Sequence, residues 1–295
     1  MNRKHFLQKL GLAAAAGVTM KLNSLGQLVE PFGTSEKMPV LFVGHGSPMN
    51  AIEENRFTKQ MNALGSSLER PNAILMISAH WETNGTFVTA QDTPPTIHDF
   101  GGFPQALFDA QYPAPGSQWL EEETIKAITT TSVSASEEWG LDHGAWSVLK
   151  NVYPKADIPV IQLSLDYSQG PQYHYDLAKQ LAGLRTKGVL IMGSGNMVHN
   201  LGRVSLKSRD FNESYGFDWA IEANETFKKL ITSKEHSSLI NYKDLGNAIK
   251  LAVPTPEHYL PLLYTLALQD DKDSVSFFND DAIGGSLTMT GVMIG

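Results

Sequence analysis

The sequence predicts an α/β fold, a single domain with a central, mostly buried β-sheet flanked by helices. Three observations carry this expectation. From Met38 onward, short β-rich runs alternate with segments of helical spacing, the pattern of layered α/β folds. Several of these runs are apolar without alternation, as expected of strands covered on both faces. The 295 residues are 42% hydrophobic and 18% charged, and no Gly/Ser- or Pro-rich linker or internal repeat divides the body. That composition suits one large core and excludes wholesale disorder.

In chain order, the first strand is expected over 39–44 (PVLFVG) and the second over 73–78 (AILMIS). Each is a continuous apolar run too short for a buried helix. Further strands are expected over 86–90, 158–165 (IPVIQLSL), 188–192 and 274–278, with 285–295 as the last. Helical spacing covers 53–68, 117–129, 146–152, 173–184 and 218–232. Residues 91–116 are rich in Pro and Gly with little periodicity. A loop of that length inside a compact domain is expected to serve function, as a binding loop or cover.

The chain has no cysteine, which removes disulfides, thiol nucleophiles, iron–sulfur clusters and Cys-ligated zinc together. A metal site must then be built from His, Asp and Glu. The formal net charge of -8 argues against a nucleic-acid partner, which leaves a basic footprint. Four basic residues, Arg3, Lys4, Lys9 and Lys21, fall within residues 1–30, so the body is more acidic than the whole. Basic residues ahead of the short apolar run 10–20 read as a targeting segment too short to span a bilayer. Arg3-Lys4-His5-Phe6-Leu7 resembles a twin-arginine export signal with Lys in place of the second Arg. This places the protein in the periplasm; the alternative is an Ala-rich leading helix on a cytoplasmic protein. No other stretch is long enough for stable membrane insertion.

Four of the nine histidines occupy comparable positions. His45 follows the first strand in Gly44-His45-Gly46-Ser47-Pro48, and His80 follows the second in Ser78-Ala79-His80-Trp81. His199 follows the 188–192 strand, and His258 lies in the Pro-rich turn Pro254-Thr255-Pro256-Glu257-His258. Ligands of open α/β sheets bind beyond the carboxyl ends of the strands, so these side chains can converge. A lone histidine after a strand is more often structural, but four in a cysteine-free chain point to a metal. Neutral imidazole suits Fe, Zn, Cu or Ni. His143, beside Asp142 and ahead of a helix, and His98, in the long loop, are further candidates. His174 and His236 are expected to be solvated. No complete dinucleotide fingerprint, P-loop or Gly-x-Ser-x-Gly elbow is present.

Together, Gly44–Asn50, Ser78-Ala79-His80-Trp81, the 93–104 segment around His98, Asp142-His143-Gly144 and the 254–261 segment around His258 resemble the 4,5-DOPA dioxygenase extradiol family. That family belongs to the class III extradiol ring-cleaving dioxygenases, and the resemblance spans 38–295. It implies a mixed sheet and a non-haem site with Fe(II) as the catalytic metal, which Zn(II) can also occupy. It implies His45, His80 and His258 as ligands, with Glu257 as the alternative to His258. His199 would be the general acid/base and a further metal neighbour, and His143 a catalytic histidine near substrate. An unperturbed imidazole, with a pKa of about 6.5, suits the exchange of a catechol hydroxyl proton. The expected substrates are a small aromatic catechol and O2, both oxygen atoms entering the product as the ring opens beside the diol. Trp81 and the segment 97–103, His98 and Phe103 among it, are expected to shape the catechol pocket. A zinc-dependent hydrolase and a non-catalytic binding protein on the same scaffold are the competing readings.

Overall fold

The apolar runs pair into one six-stranded sheet. Its members are β1 (Val40–Gly44), β2 (Ala73–Ser78), β3 (Val160–Gln162), β4 (Val189–Gly195), β5 (Val275–Phe278) and β6 (Gly291–Ile294). The strand order is β3-β2-β4-β1-β6-β5. The first four are mutually parallel, whereas β6 runs antiparallel to β1 and β5 antiparallel to β6. The sheet is therefore mixed. The computed structural model describes residues 36–207 and 210–295, so the leader read at residues 1–30 lies outside the described residues.

Side chains of a strand alternate between its two faces, and here both faces are apolar. Val40, Phe42, Leu75, Ile77, Val189 and Ile191 enter one core with Leu262, Leu263 and Phe227. Leu41, Val43, Ile74, Met76, Leu190 and Met192 enter the other, with Phe57, Met61, Trp146 and Leu149. The first core is covered by α4 (Pro171–Lys179), α5 (Asp218–Thr232) and α6 (Leu260–Ala267), and the second by α1 (Arg56–Ser67) and α3 (His143–Val152). α2 (Gln118–Ala127) lies with the first group. This is a helix–sheet–helix sandwich, and Glu36–Gly295 forms one compact unit.

Local chemistry sets the helix starts. Asn55 and Thr58 form a reciprocal capping box on α1, and the Asp142 side chain caps α3 by accepting from Ala145 N–H. Three expectations need correction. The 158–165 strand divides into β3 and the short Leu165–Asp166, which pairs with Glu82–Thr83. The 86–90 strand stays out of the main sheet: Thr86–Thr89 pairs in parallel with Val133–Ser136. The 285–295 run divides into the short strand Leu287–Thr288 and β6. Helix α6 has no polar face to betray it, because Leu260 to Leu266 are all buried. Among the described residues, no helix is long and apolar enough to cross a membrane.

Candidate metal centre

Three parallel strands deliver side chains to one edge of the sheet. His45 directly follows β1, His80 lies two residues beyond β2, and His199 lies four beyond β4. His258 arrives from the turn ahead of α6, and its carbonyl accepts a 2.9 Å hydrogen bond from Asn196 N–H. Gly195 permits that approach, since a Cβ there would sit 2.2 Å from the His258 carbonyl oxygen. Gly144 does the same for α3, where a Cβ would lie 2.5 Å from Ser78 Oγ and 2.8 Å from the His80 ring.

The imidazoles of His45, His80 and His258 surround one point, with ring centroids 5.0 to 5.2 Å apart. In the triplet His45, His80 and His143, and in the triplet His199, Glu257 and His258, the candidate donor atoms lie within 4.8 Å of one another. His199 stacks on His258 at 3.5 Å. All five histidines line a single cavity of about 490 Å³ with Phe100, Phe103, Phe211, Leu201 and Leu287.

Each of the three central rings has its Nδ1 facing an oxygen. Ser194 Oγ donates 2.6 Å to the Gly144 carbonyl, so toward His45 Nδ1, at 3.0 Å, it accepts. His258 Nδ1 lies 3.1 Å from Glu257 Oε1, and His80 Nδ1 lies 3.4 Å from Asp99 Oδ2. Ionised carboxylates only accept, so each Nδ1 carries the proton and each Nε2 keeps its lone pair. The Nε2 atoms of His45 and His80 then face each other at 3.3 Å, two lone pairs with nothing to donate between them. A divalent cation satisfies such a donor set, and imidazole nitrogens oriented by oxygen acceptors fit Fe(II) or Zn(II).

Burial sets the electrostatics. Loss of solvent, reinforced by neighbouring imidazoles, holds His45 well below the usual range and His80 at about 2. Burial also lowers His258, against the pull of Glu257. These rings are neutral, the form that binds metal. Burial and His258 push His199 down to about 3, so the unperturbed value expected for this group does not hold before substrate enters. Burial works to raise the Glu257 carboxyl, but hydrogen bonds from His258 and Thr255 bring it to about 2. Glu257 thus lies against His258 Nδ1, and its carboxylate is also one of the candidate donors of the second triplet.

The other expected residues divide. His143 lines the cavity and Phe103 forms part of its wall. Trp81 is turned away, buried and stacked on Trp139 at 6.0 Å. His98 also faces elsewhere: its Nε2 donates 2.9 Å to the Ala110 carbonyl and its ring packs on Trp146. Neither is among the lining residues. His174 is fully buried against Tyr264 and so is not solvated, whereas His236 is half-buried and bonds Tyr175 and Gln269. Phe100 and Asp99 lie within the 97–103 segment expected at the pocket, whereas Asn196 and Phe211 were not anticipated. Asp99 and Phe100 directly follow His98, so within the expected segment it is His98 that faces elsewhere.

The family description "catalytic LigB subunit of aromatic ring-opening dioxygenase" matches residues 39–276. A 4,5-DOPA dioxygenase extradiol of Escherichia coli (strain K12) is 46% identical over 266 residues, covering 89% of this chain and 96% of that protein. The Beta vulgaris protein of the same name is 34% identical over 255 residues, 84% of this chain and 92% of its own length. A crystal structure of an uncharacterized Escherichia coli K12 protein aligns with a TM-score of 0.76 at 41% identity, covering 88% of this chain and 100% of that one. By the extent of these matches the chain belongs to the class III extradiol dioxygenase family, the aromatic ring-opening dioxygenases of the LigB type.

Proposed function

We propose that this cavity binds a catechol at a metal ion held by His45, His80 and His258, and opens the ring beside the diol with both atoms of O2. The observation that carries the reading is the convergence of three imidazoles, each with Nδ1 facing an oxygen. Fe(II), when bound, supplies Lewis acidity and electron exchange between the diol and O2.

The protein's own groups have separate tasks. Phe100, Phe103 and Phe211 give a flat ring apolar walls. Those walls also exclude water, which strengthens every charge interaction inside. His199 takes a hydroxyl proton as the diol binds and returns it as the ring opens. Its low resting proton affinity comes from burial. An anionic diol beside the ring raises that affinity, so the proton is held only while substrate is present. The basic leader at residues 1–30 supports export, which an intact N-terminus on natively produced protein would exclude.

Anaerobic reconstitution with Fe(II), followed by O2 uptake on DOPA, caffeate and protocatechuate, tests the reading. Uptake with a yellow ring-opened product is expected. Turnover without O2 uptake would replace it with a hydrolase, and neither with a binding protein.

A further inference from the structure

We propose that Asp99 is the positioning residue of this centre, one carboxylate that sets the tautomers of His80 and His143 together and ties both to the aromatic wall. The inference rests on the reading of His80 as a metal ligand. Asp99 Oδ1 accepts from His143 backbone N–H at 2.8 Å. Its Oδ2 lies 2.9 Å from His143 Nδ1 and 3.4 Å from His80 Nδ1. An ionised carboxylate has no proton to give, so the hydrogen-bonded His143 carries its proton on Nδ1, and the same charge 3.4 Å from His80 Nδ1 favours that tautomer there. Each is left with a lone pair on Nε2.

This matters because the two rings touch, with centroids 3.9 Å apart. An imidazole without a fixed partner at Nδ1 chooses either tautomer. The wrong choice on His80 would direct an N–H at the ligand position, and on His143 it would remove a hydrogen-bond acceptor from the cavity. With Asp99 in place, His143 Nε2 accepts from a donor such as a substrate hydroxyl.

Asp99 is itself held firmly. Ile97 N–H donates 2.7 Å to the Leu141 carbonyl, and Leu141 N–H donates 2.8 Å to the Pro95 carbonyl. Trp146 Nε1 donates 2.8 Å to the Ile97 carbonyl. The next residue, Phe100, meets the His143 ring edge-on and packs against Phe103. The carboxylate therefore joins two histidines on different elements to the loop that walls the cavity.

Asp99→Asn keeps the shape of the side chain but exchanges one accepting oxygen for a donor. The test titrates wild type and this variant with Co(II) and records the visible spectrum of the bound ion. Co(II) affinity is expected to fall about 10- to 100-fold, with a changed spectrum and an unchanged far-UV circular dichroism. Unchanged affinity and spectrum would overturn the inference. The Zn(II)-loaded wild type gives a second measurement that does not depend on how the variant folds. Imidazole 15N NMR should show Nδ1–H tautomers for both His80 and His143; an Nε2–H tautomer at His143 overturns the proposal. Wild type that takes up no Co(II) would overturn the metal-centre reading itself, whereas tight wild-type binding matched by the variant overturns the role of Asp99 alone.

Discussion

His199 and His258 lie face to face, their ring centroids 3.5 Å apart and their planes 8° from parallel. Two imidazoles at that distance cannot both be charged without strong repulsion. Glu257 meets His258 at Nδ1, and the proposed function gives His258 the metal and His199 the proton.

That division predicts different losses. His199→Ala should retain metal while turnover falls by a factor of about 100 or more. His258→Ala should lose metal. Metal analysis alongside O2 uptake separates them, and turnover unchanged in His199→Ala would remove the acid/base role.

Gly195→Ala should damage the centre without touching a ligand. The added methyl would lie 2.2 Å from the His258 carbonyl oxygen, in a backbone contact that cannot yield cheaply. The expected outcome is metal affinity weakened by about tenfold or more, read by competition with a chelating dye. Wild-type affinity would mean that the His258 turn is not fixed by this contact.

The cavity wall should govern substrate affinity more than chemistry. Phe103→Ala removes a ring packed on Phe100, a contact worth ~0.5–1.5 kcal/mol, so KM for catechols should rise about 3- to 10-fold with little change in kcat. Trp81→Phe, changing a side chain stacked on Trp139 outside the cavity, should leave KM unaltered.

The histidines were legible in sequence because strand ends are visible there. An apolar run that stops at Gly44 or Ser78 marks the sheet edge, and the next histidine inherits that location. Orientation was not legible. His98 and Asp99 are adjacent in the chain, yet one bonds the Ala110 carbonyl and the other bonds His143. Which of them turns inward depends on pairing between the loop and Leu141, a contact that local pattern does not encode. Helix α6 escaped for a related reason: buried on all sides, it carries no amphipathic period.

Acid should weaken the fold through His174. Burial lowers this ring to about 4, although Asp166 pulls the other way. Between that value and an unfolded value of about 6.5, the unfolded chain binds a proton that the folded chain refuses. Stability is therefore complete above about pH 6.5 and declines as pH falls toward 4, by at most ~1.4 kcal/mol per pH unit. Denaturant melts of wild type and His174→Gln should differ in this slope; identical slopes would exclude the assignment.

Asp273→Asn should be among the most destabilising surface-distant changes. Asp273 meets Arg185 at 2.7 Å, and both side chains are 2% exposed. Breaking one half of a buried pair costs about 3–5 kcal/mol, measurable as a lowered midpoint in urea. Burial works to raise this carboxyl, but Arg185 and Lys37 hold it well below the usual range. Its contribution is thus present above about pH 4 and is lost as pH falls through the depressed value. A midpoint unchanged in the variant would show the pair to be dispensable.

The histidines that converge on the cavity come from nearly opposite ends of the described chain, His45 after the first strand and His258 ahead of the last helix. No fragment ending before His258 contains the full donor set. On the proposed metal reading, a chain that stops short of His258 would lack one of the three donors. Ligand binding that selects the folded state adds stability in proportion to the logarithm of free ligand over Kd. If an ion is held there as proposed, a chelator should lower the melting temperature of the protein; an unchanged melting temperature would count against it.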